Sequence, residues 1–350
     1  MILKDLGFDE WFAAQAASME PQGCGFARVC AVDRGSCRIR GEDGEVPAEL
    51  SGRLSFQLDG QNEWPCIGDW VAAQFYDSGA AAIIHHVLPR RTLLRRRAPG
   101  GGAEFQMIAA NVDTAFVVQS CQHDFNPARL ERYLVMAADG RVEPVVVLTK
   151  TDLAGPEELE RMLAAVRAAG VRVLALSNVT GEGFAAFEQA VAPGKTCCLL
   201  GSSGVGKTTL LNRLLGRAVF ETAAVSGTGE GTHTTTRRQL IVLDSGAILI
   251  DTPGMRELGL MAAGEGLDKG FGEFAALAAQ CRYADCSHTR EPGCAVRAAS
   301  ERGEVPAERY ASYLKLRKES EFYALSQLER RQRDKAFGKL VRSVKKRLRD

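Results

Sequence analysis

The sequence predicts a multidomain chain: a small N-terminal β-barrel, a central doubly wound α/β domain, and a mostly helical C-terminal domain built around a metal knuckle. Three observations predict it. Short β segments recur through residues 24–98, strands alternate with helical stretches from Thr114 onward, and four metal-binding side chains fall within fourteen residues near the end. The expected boundaries are 1–104 for the arm, barrel and arginine-rich hinge, 105–266 for the α/β domain and 267–350 for the remainder.

In the barrel region the segments FARVCAV, SCRIR, EVPAEL, DWVAAQF and AAIIHHVL are separated by glycines and acids, among them Gly35, Gly41, Asp43, Gly44, Gly68 and Gly79. This spacing fits a small barrel, with an OB-fold as the natural candidate; the pattern alone does not separate it from an SH3-like barrel. His85 and His86 read as strand residues. RRTLLRRR (Arg90 to Arg97) supplies five arginines, and APGGGAE (Ala98 to Glu104) reads as a flexible linker. Beyond it, TAFVVQ (Thr114 to Gln119) and PEELERMLAAVRAA begin the alternation of strand and helix.

The α/β domain carries five nucleotide-site motifs. GSSGVGKT matches G-x-x-x-x-G-K-[ST] at every fixed position: Gly201, Ser202, Ser203, Gly204, Val205, Gly206, Lys207 and Thr208, followed by Thr209. A short apolar strand, TCCLL, precedes it, and a helix with Leu210, Leu211, Leu214 and Leu215 on one face follows. Glycines let backbone N–H groups curl around a β-phosphate at a helix N-terminus. Lys207 is expected at the β- and γ-phosphates and Thr208 on Mg²⁺. The isolated alternative, a glycine-rich turn, loses its weight beside the other four motifs.

TKTD ends the apolar strand that begins at Val145. The Asp152 carboxylate can accept from both guanine N1–H and N2–H₂, a donor pair adenine lacks, and unpaired polar groups in a closed site are costly. The Lys150 stem can lie over the base, and Thr149 is a short hydroxyl tether to the phosphate loop. In LSNVTGEG, the backbone N–H groups of Ser177 and Asn178 are candidates for guanine O6. Asp251, ending AILID, is expected to reach Mg²⁺ through water, and the Gly254 N–H to meet the γ-phosphate. One switch threonine of GTHTTT, Thr235 or Thr236, is expected on Mg²⁺. Met255 follows DTPG, and a thioether cannot orient water. His233 is therefore the candidate for positioning the attacking water, its alternative being an exposed loop histidine. The residues predict a GTP hydrolase with slow intrinsic turnover.

The motif order is the unusual part. The guanine readers precede the phosphate loop, whereas an ordinary GTPase begins with that loop, so the domain reads as circularly permuted. Moving termini to exposed loops leaves a core intact. Here the cysteine-rich region leaves directly after DTPG, about 27 residues separating Gly254 from Cys281. GTP and GDP states are expected to move it relative to the barrel, gripping a partner and then releasing it.

Cys281, Cys286, His288 and Cys294 form C-x4-C-x-H-x5-C, a closed tetrahedral set suited to one structural Zn²⁺. The remaining cysteines (Cys24, Cys30, Cys37, Cys66, Cys121, Cys197, Cys198) lack ligand spacing and read as buried small hydrophobes or free thiols. Residues 329–350 hold ten Lys or Arg against three acids, a local +7 in a chain of net +1. With the arginine hinge and the knuckle, this basic helix points to RNA; its blander reading is a solvated terminal helix.

With these motifs in hand, the chain resembles the bacterial small-ribosomal-subunit-dependent GTPase family RsgA (YjeQ). The permuted order, GTHTTT, the apolar residue after DTPG, the knuckle and PCIGDWV (Pro65 to Val71) carry the resemblance over nearly the whole chain. It implies an N-terminal OB-fold, a permuted G domain, a C-terminal zinc domain, late small-subunit assembly, and GTPase activity stimulated by that subunit. The chain departs from the family at Thr149, at Thr232, where Arg is usual, and at Gly204, where related GTPases carry an Asn linked to potassium dependence. No potassium requirement is predicted. The expected partners are the small subunit and its rRNA. Two further readings are an RNA-binding GTP-dependent scaffold with little turnover and a non-ribosomal GTPase regulator.

Composition sets the outer bounds. A chain of 350 residues accommodates two or three domains. Ten cysteines, unpatterned outside the knuckle, fit a reducing cytoplasm. The N-terminus has acids early and no apolar signal core, and no apolar run approaches the ~20 residues of a membrane span. A cytoplasmic monomer without membrane contact is expected.

Overall fold

The computed structural model describes residues 2–19, 23–33, 36–58, 64–97, 105–122, 124–217, 238–252, 264–322 and 329. The linker 98–104 and the basic tail beyond 329 lie outside these residues. By internal contacts the chain divides into two compact units, residues 1–95 with 106–258, and residues 96–105 with 259–350.

The first unit contains the barrel. Its strands are β1 (Gly25–Val32), β2 (Cys37–Gly41), β3 (Gly44–Leu50), β4 (Trp70–Tyr76) and β5 (Ala81–Val87), with helix α2 (Gly52–Gln57) between β3 and β4. They pair in the order β1-β2-β3-β5-β4, and β4 returns to the first half of β1, closing the barrel. β3 and β5 run parallel; the other barrel neighbours are antiparallel. This is the expected OB-type barrel. Alternation along β2 puts Cys37 and Ile39 inside and Arg38 and Arg40 outside. Val29, Val71, Ala73 and Ile84 complete the apolar interior. The N-terminal arm, a short turn (Leu3–Leu6) and helix α1 (Glu10–Ala17), packs Leu6 and Phe12 against Trp70 and Leu88. Phe8 meets Trp70 edge-on at 4.7 Å.

The α/β part follows a two-stranded ribbon, β6 (Leu93–Arg97) and β7 (Phe105–Ala110). Its strands are β8 (Thr114–Ser120), β9 (Glu143–Thr149), β10 (Arg172–Ala175), β11 (Thr196–Leu200), β12 (Gln239–Val242) and β13 (Ile248–Asp251). Helices α3 (Pro127–Asp139), α4 (Pro156–Ala168), α5 (Phe184–Ala190) and α6 (Lys207–Leu214) connect them. The sheet order is β10-β9-β8-β11-β13-β12, parallel except for β12. Strands buried on both faces read as continuous apolar runs, as Val145 to Leu148 do. Chain connections run from β8 outward to β10 and from β11 outward to the other edge. The β8–β11 boundary is therefore the switch point where such sheets bind ligands.

Arg28 of β1 ties this unit together. It is 1% exposed, and it donates through Nε to Gly68 O at 3.2 Å, through Nη1 to Leu6 O at 2.6 Å and through Nη2 to Asn111 O at 3.1 Å. Burial pulls its pKa down to about 10, against the charges of Asp113 and Asp69. Gly68, at φ +90°, is required beside it: a Cβ there would stand 2.1 Å from Ala110 O. The sheet also continues across this junction, Ala31 of β1 pairing with Gln239 of β12.

Two of the hinge arginines, Arg90 and Arg91, serve the same junction. Arg90 reaches both oxygens of Asp69 at 2.8 and 2.7 Å. Arg91 grips both oxygens of Asp9 at 2.7 Å and lies over Trp11 and Phe12. Arg95 pairs with Asp139 at 3.2 Å. Their sequence suggested an RNA-facing strip; three of the five are held by carboxylates of the chain itself.

The second unit contains helices α7 (Gly264–Gly270), α8 (Gly272–Ala278) and α9 (Ala295–Glu301) and the helical residues 307–322. Phe271, Phe274 and Tyr313 form its aromatic centre, Phe274 and Tyr313 stacked at 4.4 Å.

Replacing Arg28 by Met leaves the Leu6 and Asn111 carbonyls without their donor and Gly68 O with only the Asn111 side chain. The expected cost is about 3 kcal/mol. It is checked by urea unfolding, as a lower midpoint at unchanged slope.

Candidate functional site

The phosphate loop leaves the central strand β11 and enters α6. Gly201 has φ +149°, and a Cβ there would lie 2.3 Å from Val118 O on β8, so only glycine lets the loop turn against its neighbour strand. Gly204 and Gly206 also take positive φ, and Gly206 sits at the N-cap of α6. Leu210 and Leu211 are fully buried, with Leu214 and Leu215 packed on the same core, which fixes the helix that carries the loop.

Lys207 is buried, and its Nζ donates to Gly201 O at 2.8 Å and Ser202 O at 2.5 Å. Burial pulls its pKa down to about 8, against the carboxylates of Asp251 and Asp124. Asp251 ends β13 beside it; burial pushes this carboxyl up and Lys207 opposes the shift. The Thr252 hydroxyl donates to Leu199 O, anchoring the start of DTPG to the phosphate-loop strand.

The guanine-side residues gather at the same end of the sheet. The buried Thr149 hydroxyl donates to Val205 O at 2.6 Å, so the short tether expected from its sequence is present. Lys150 adopts the left-handed conformation at φ +57°, and Asp152 follows, exposed. On the facing loop, Ser177 is fully buried and its hydroxyl accepts from Val179 and Thr180 N–H at 3.1 Å. The Ser177 N–H is itself donated to Glu182 O at 3.0 Å. Ser177 thus shapes the turn, and of the two backbone donors expected to face guanine O6 it leaves Asn178. Arg213 braces this loop, donating to Asn178 O at 3.3 Å and lying 4.0 Å above Phe184. Arg213, from α6, is a residue that motif reading missed. His233, Thr232, Thr235, Thr236, Gly254 and Met255 lie outside the described residues.

In the second unit, Cys281, Cys286, His288 and Cys294 offer ligand atoms all within 4.8 Å of one another. His288 Nδ1 is 3.5 Å from Cys281 Sγ and 3.6 Å from Cys294 Sγ. These thiols are free, and such a set can hold a metal ion. Burial raises the Cys281 thiol, but N–H groups of Val296 and Ala295 and the neighbouring thiols outweigh it and hold it below its ordinary value. Cys294 caps α9, accepting from Arg297 N–H at 3.3 Å. The helical residues 307–322 support the ligands from behind: Tyr310 donates to His288 O at 2.5 Å and Arg317 to Cys286 O at 2.9 Å. The other cysteines are free, and all but the half-buried Cys24 are buried.

A glycine-cradled helix N-terminus at the switch point, a buried lysine, a strand-end carboxylate and a guanine-type loop bonded to the cradle define a P-loop GTPase with a permuted chain order. Comparison with known proteins agrees. The family model described as RsgA GTPase matches residues 87–261. "Small ribosomal subunit biogenesis GTPase RsgA" of Opitutus terrae is 42% identical over 338 residues, covering 93% of this chain and 91% of the relative. The crystal structure of YjeQ from Thermotoga maritima aligns with TM-score 0.63 at 28% identity, over 85% of this chain and 98% of that one. The structure of YloQ, described as a circularly permuted GTPase, shares the fold with TM-score 0.59 at 23% identity, over 86% and 96% of the two chains. This chain belongs to the RsgA GTPase family and is a GTP hydrolase. Among the described residues no helix is long and apolar enough to cross a membrane.

Two outcomes follow from these sites. Lys207, with its pKa lowered to about 8, gives up its proton above that pH while the unfolded chain keeps one to about 10.5. The group's burden on stability therefore eases as pH rises through that window. Phosphate affinity moves the opposite way, since it needs the charge: binding of fluorescent GDP to the free chain should weaken roughly fivefold between pH 8 and 9. In the second unit, Cys294→Ser should lower metal content, read by atomic emission, and expose residues 281–317 to protease, with GDP binding retained.

Proposed function

We propose that this chain hydrolyses GTP to GDP and phosphate on the small ribosomal subunit, acts in the subunit's late maturation, and leaves after hydrolysis that the subunit stimulates. The observation that carries the reading is the bond from the guanine-side strand to the phosphate loop, Thr149 to Val205 O. It joins base reading to phosphate holding in one rigid site, in a chain whose relative is named for small-subunit biogenesis.

In this reading Asp152 accepts from guanine N1–H and N2–H₂, Lys150 covers the base, and Asn178 N–H faces O6. Backbone N–H groups of residues 201–209 surround the β-phosphate, and Lys207 reaches the β- and γ-phosphates. Thr208 and Asp251, with Thr235 or Thr236, would hold the Mg²⁺ that neutralises developing charge. Gly254 meets the γ-phosphate and His233 orients the water. Met255 cannot do that work, which accounts for slow turnover until a partner completes the site.

Zn²⁺ is the proposed ion of the knuckle. Around a tetrahedral zinc, sulfur and nitrogen ligand atoms stand about 3.5–3.8 Å apart, and the separations of 3.5 and 3.6 Å meet that requirement. Three thiolates and one imidazole leave no open position, so its role is structural. The basic residues 329–350 add phosphate contacts to rRNA, whose strength falls with salt. The chain is proposed to act as a cytoplasmic monomer.

The test is GTP turnover by the purified protein alone, with small subunits and with large subunits. Stimulation by small subunits only is the expected result. Equal turnover in all three would overturn the ribosomal reading, favouring a regulator of another RNA. Binding without turnover in any of them would favour a passive scaffold.

A further inference from the structure

Asp124 belongs to none of the five motifs. It lies on the segment joining β8 to α3, beside the phosphate loop at the switch point of the sheet. Its Oδ1 pairs with Arg129 Nη2 at 2.7 Å, and the same guanidinium donates to the Asp124 carbonyl. Arg129 is held in place by its helix: Asn126 caps α3 and accepts the Arg129 N–H at 2.9 Å. The Ser202 side chain lies beside the Asp124 carboxylate and opposes the rise in its pKa that burial imposes, and Ser202 O accepts from Lys207. A continuous chain of contacts therefore runs from Arg129 through Asp124 and Ser202 to the lysine of the phosphate loop. The carboxylate and guanidinium are only 19% and 28% exposed, so solvent screens them incompletely.

A carboxylate in this position presents a physical conflict. It holds the second residue of the phosphate loop, yet its charge repels the polyphosphate that the loop exists to bind. Arg129 resolves the conflict by making the pair neutral. We propose that Asp124 and Arg129 form a charge-neutral clamp on the phosphate loop, in which Asp124 positions Ser202 and Arg129 cancels the charge that would oppose nucleotide phosphates. Both are positioning residues. The proposal rests on the reading of this loop as the GTP site.

The clamp predicts a pattern that loss of packing alone does not produce. Arg129→Ala bares the carboxylate, and affinity for fluorescent GDP and GTP should fall on the order of tenfold. Asp124→Asn keeps an oxygen for Ser202 and removes the charge, so binding should tighten by a few fold. The double variant, Asp124→Asn with Arg129→Ala, should return to within about twofold of the unaltered chain. The Arg129→Ala defect should also shrink as pH falls, because protonation of Asp124, which burial favours, removes the same charge. Rescue in the double variant together with the pH trend supports the clamp. A double variant no better than Arg129→Ala would overturn it, as would unchanged affinity in both single variants. A fall in turnover at unchanged affinity in Arg129→Ala would instead assign Arg129 to the reaction itself and also overturn the clamp. Absence of nucleotide binding by the unaltered chain would fail the GTP-site reading beneath it.

Discussion

A guanidinium buried without a carboxylate at bonding distance is an expensive object, and Arg28 is one. Its charge is compensated by carbonyls from the arm, from the turn before β4 and from the segment before β8. None of those segments can move without stranding a charge in an apolar junction. The arrangement therefore fixes the arm, the barrel and the α/β sheet as one unit, and the neighbouring pairs Arg90–Asp69 and Arg91–Asp9 act in the same place. Asn111 adds to the lock: its side chain donates to Gly68 O while its Oδ1 accepts from Arg91 N–H. The nucleotide site needs such rigidity. Positioning supplies most of the catalysis in phosphoryl transfer, and a sheet fixed at one end offers a firm platform at the other.

Permutation leaves that platform intact because the sheet depends on strand neighbours, not on chain order. β11 still lies between β8 and β13, with the phosphate loop at its end. The strand β9, which ends in TKTD, still lies beside β8, close enough for Thr149 to bond the loop. Cutting the chain elsewhere changed only which strand is made first.

Much of this was legible in the sequence, for a physical reason. The glycines of the phosphate loop, the carboxylates at strand ends, the knuckle cysteines and the five barrel strands all declare themselves within a few neighbouring residues, where local geometry sets the pattern. What escaped reading is non-local. Nothing near Arg28 in the chain says that its partners are Leu6, Gly68 and Asn111. The hinge arginines form a run that suggests nucleic acid, and only the fold brings Asp9, Asp69 and Asp139 to them. Ser177 was read as a base contact from its place in LSNVTGEG, yet its N–H already donates to Glu182 O across the turn, which a linear motif does not reveal. Nothing in the chain near Asp124 and Arg129 says that Ser202 lies beside them.

The pairing of Ala31 with Gln239 has a consequence for how the chain comes into being. The barrel can close as soon as β5 has been made, since all five of its strands fall within residues 25–87. The second half of β1 must then wait, without its β12 neighbour, until β12 emerges long after β8, β9 and β10. Distant pairings of this kind form late, after the entropy of closing a long loop has been overcome. Synthesis thus yields a finished barrel first, then the half of the sheet formed by β8, β9 and β10, and the seam between them is sewn only near the end.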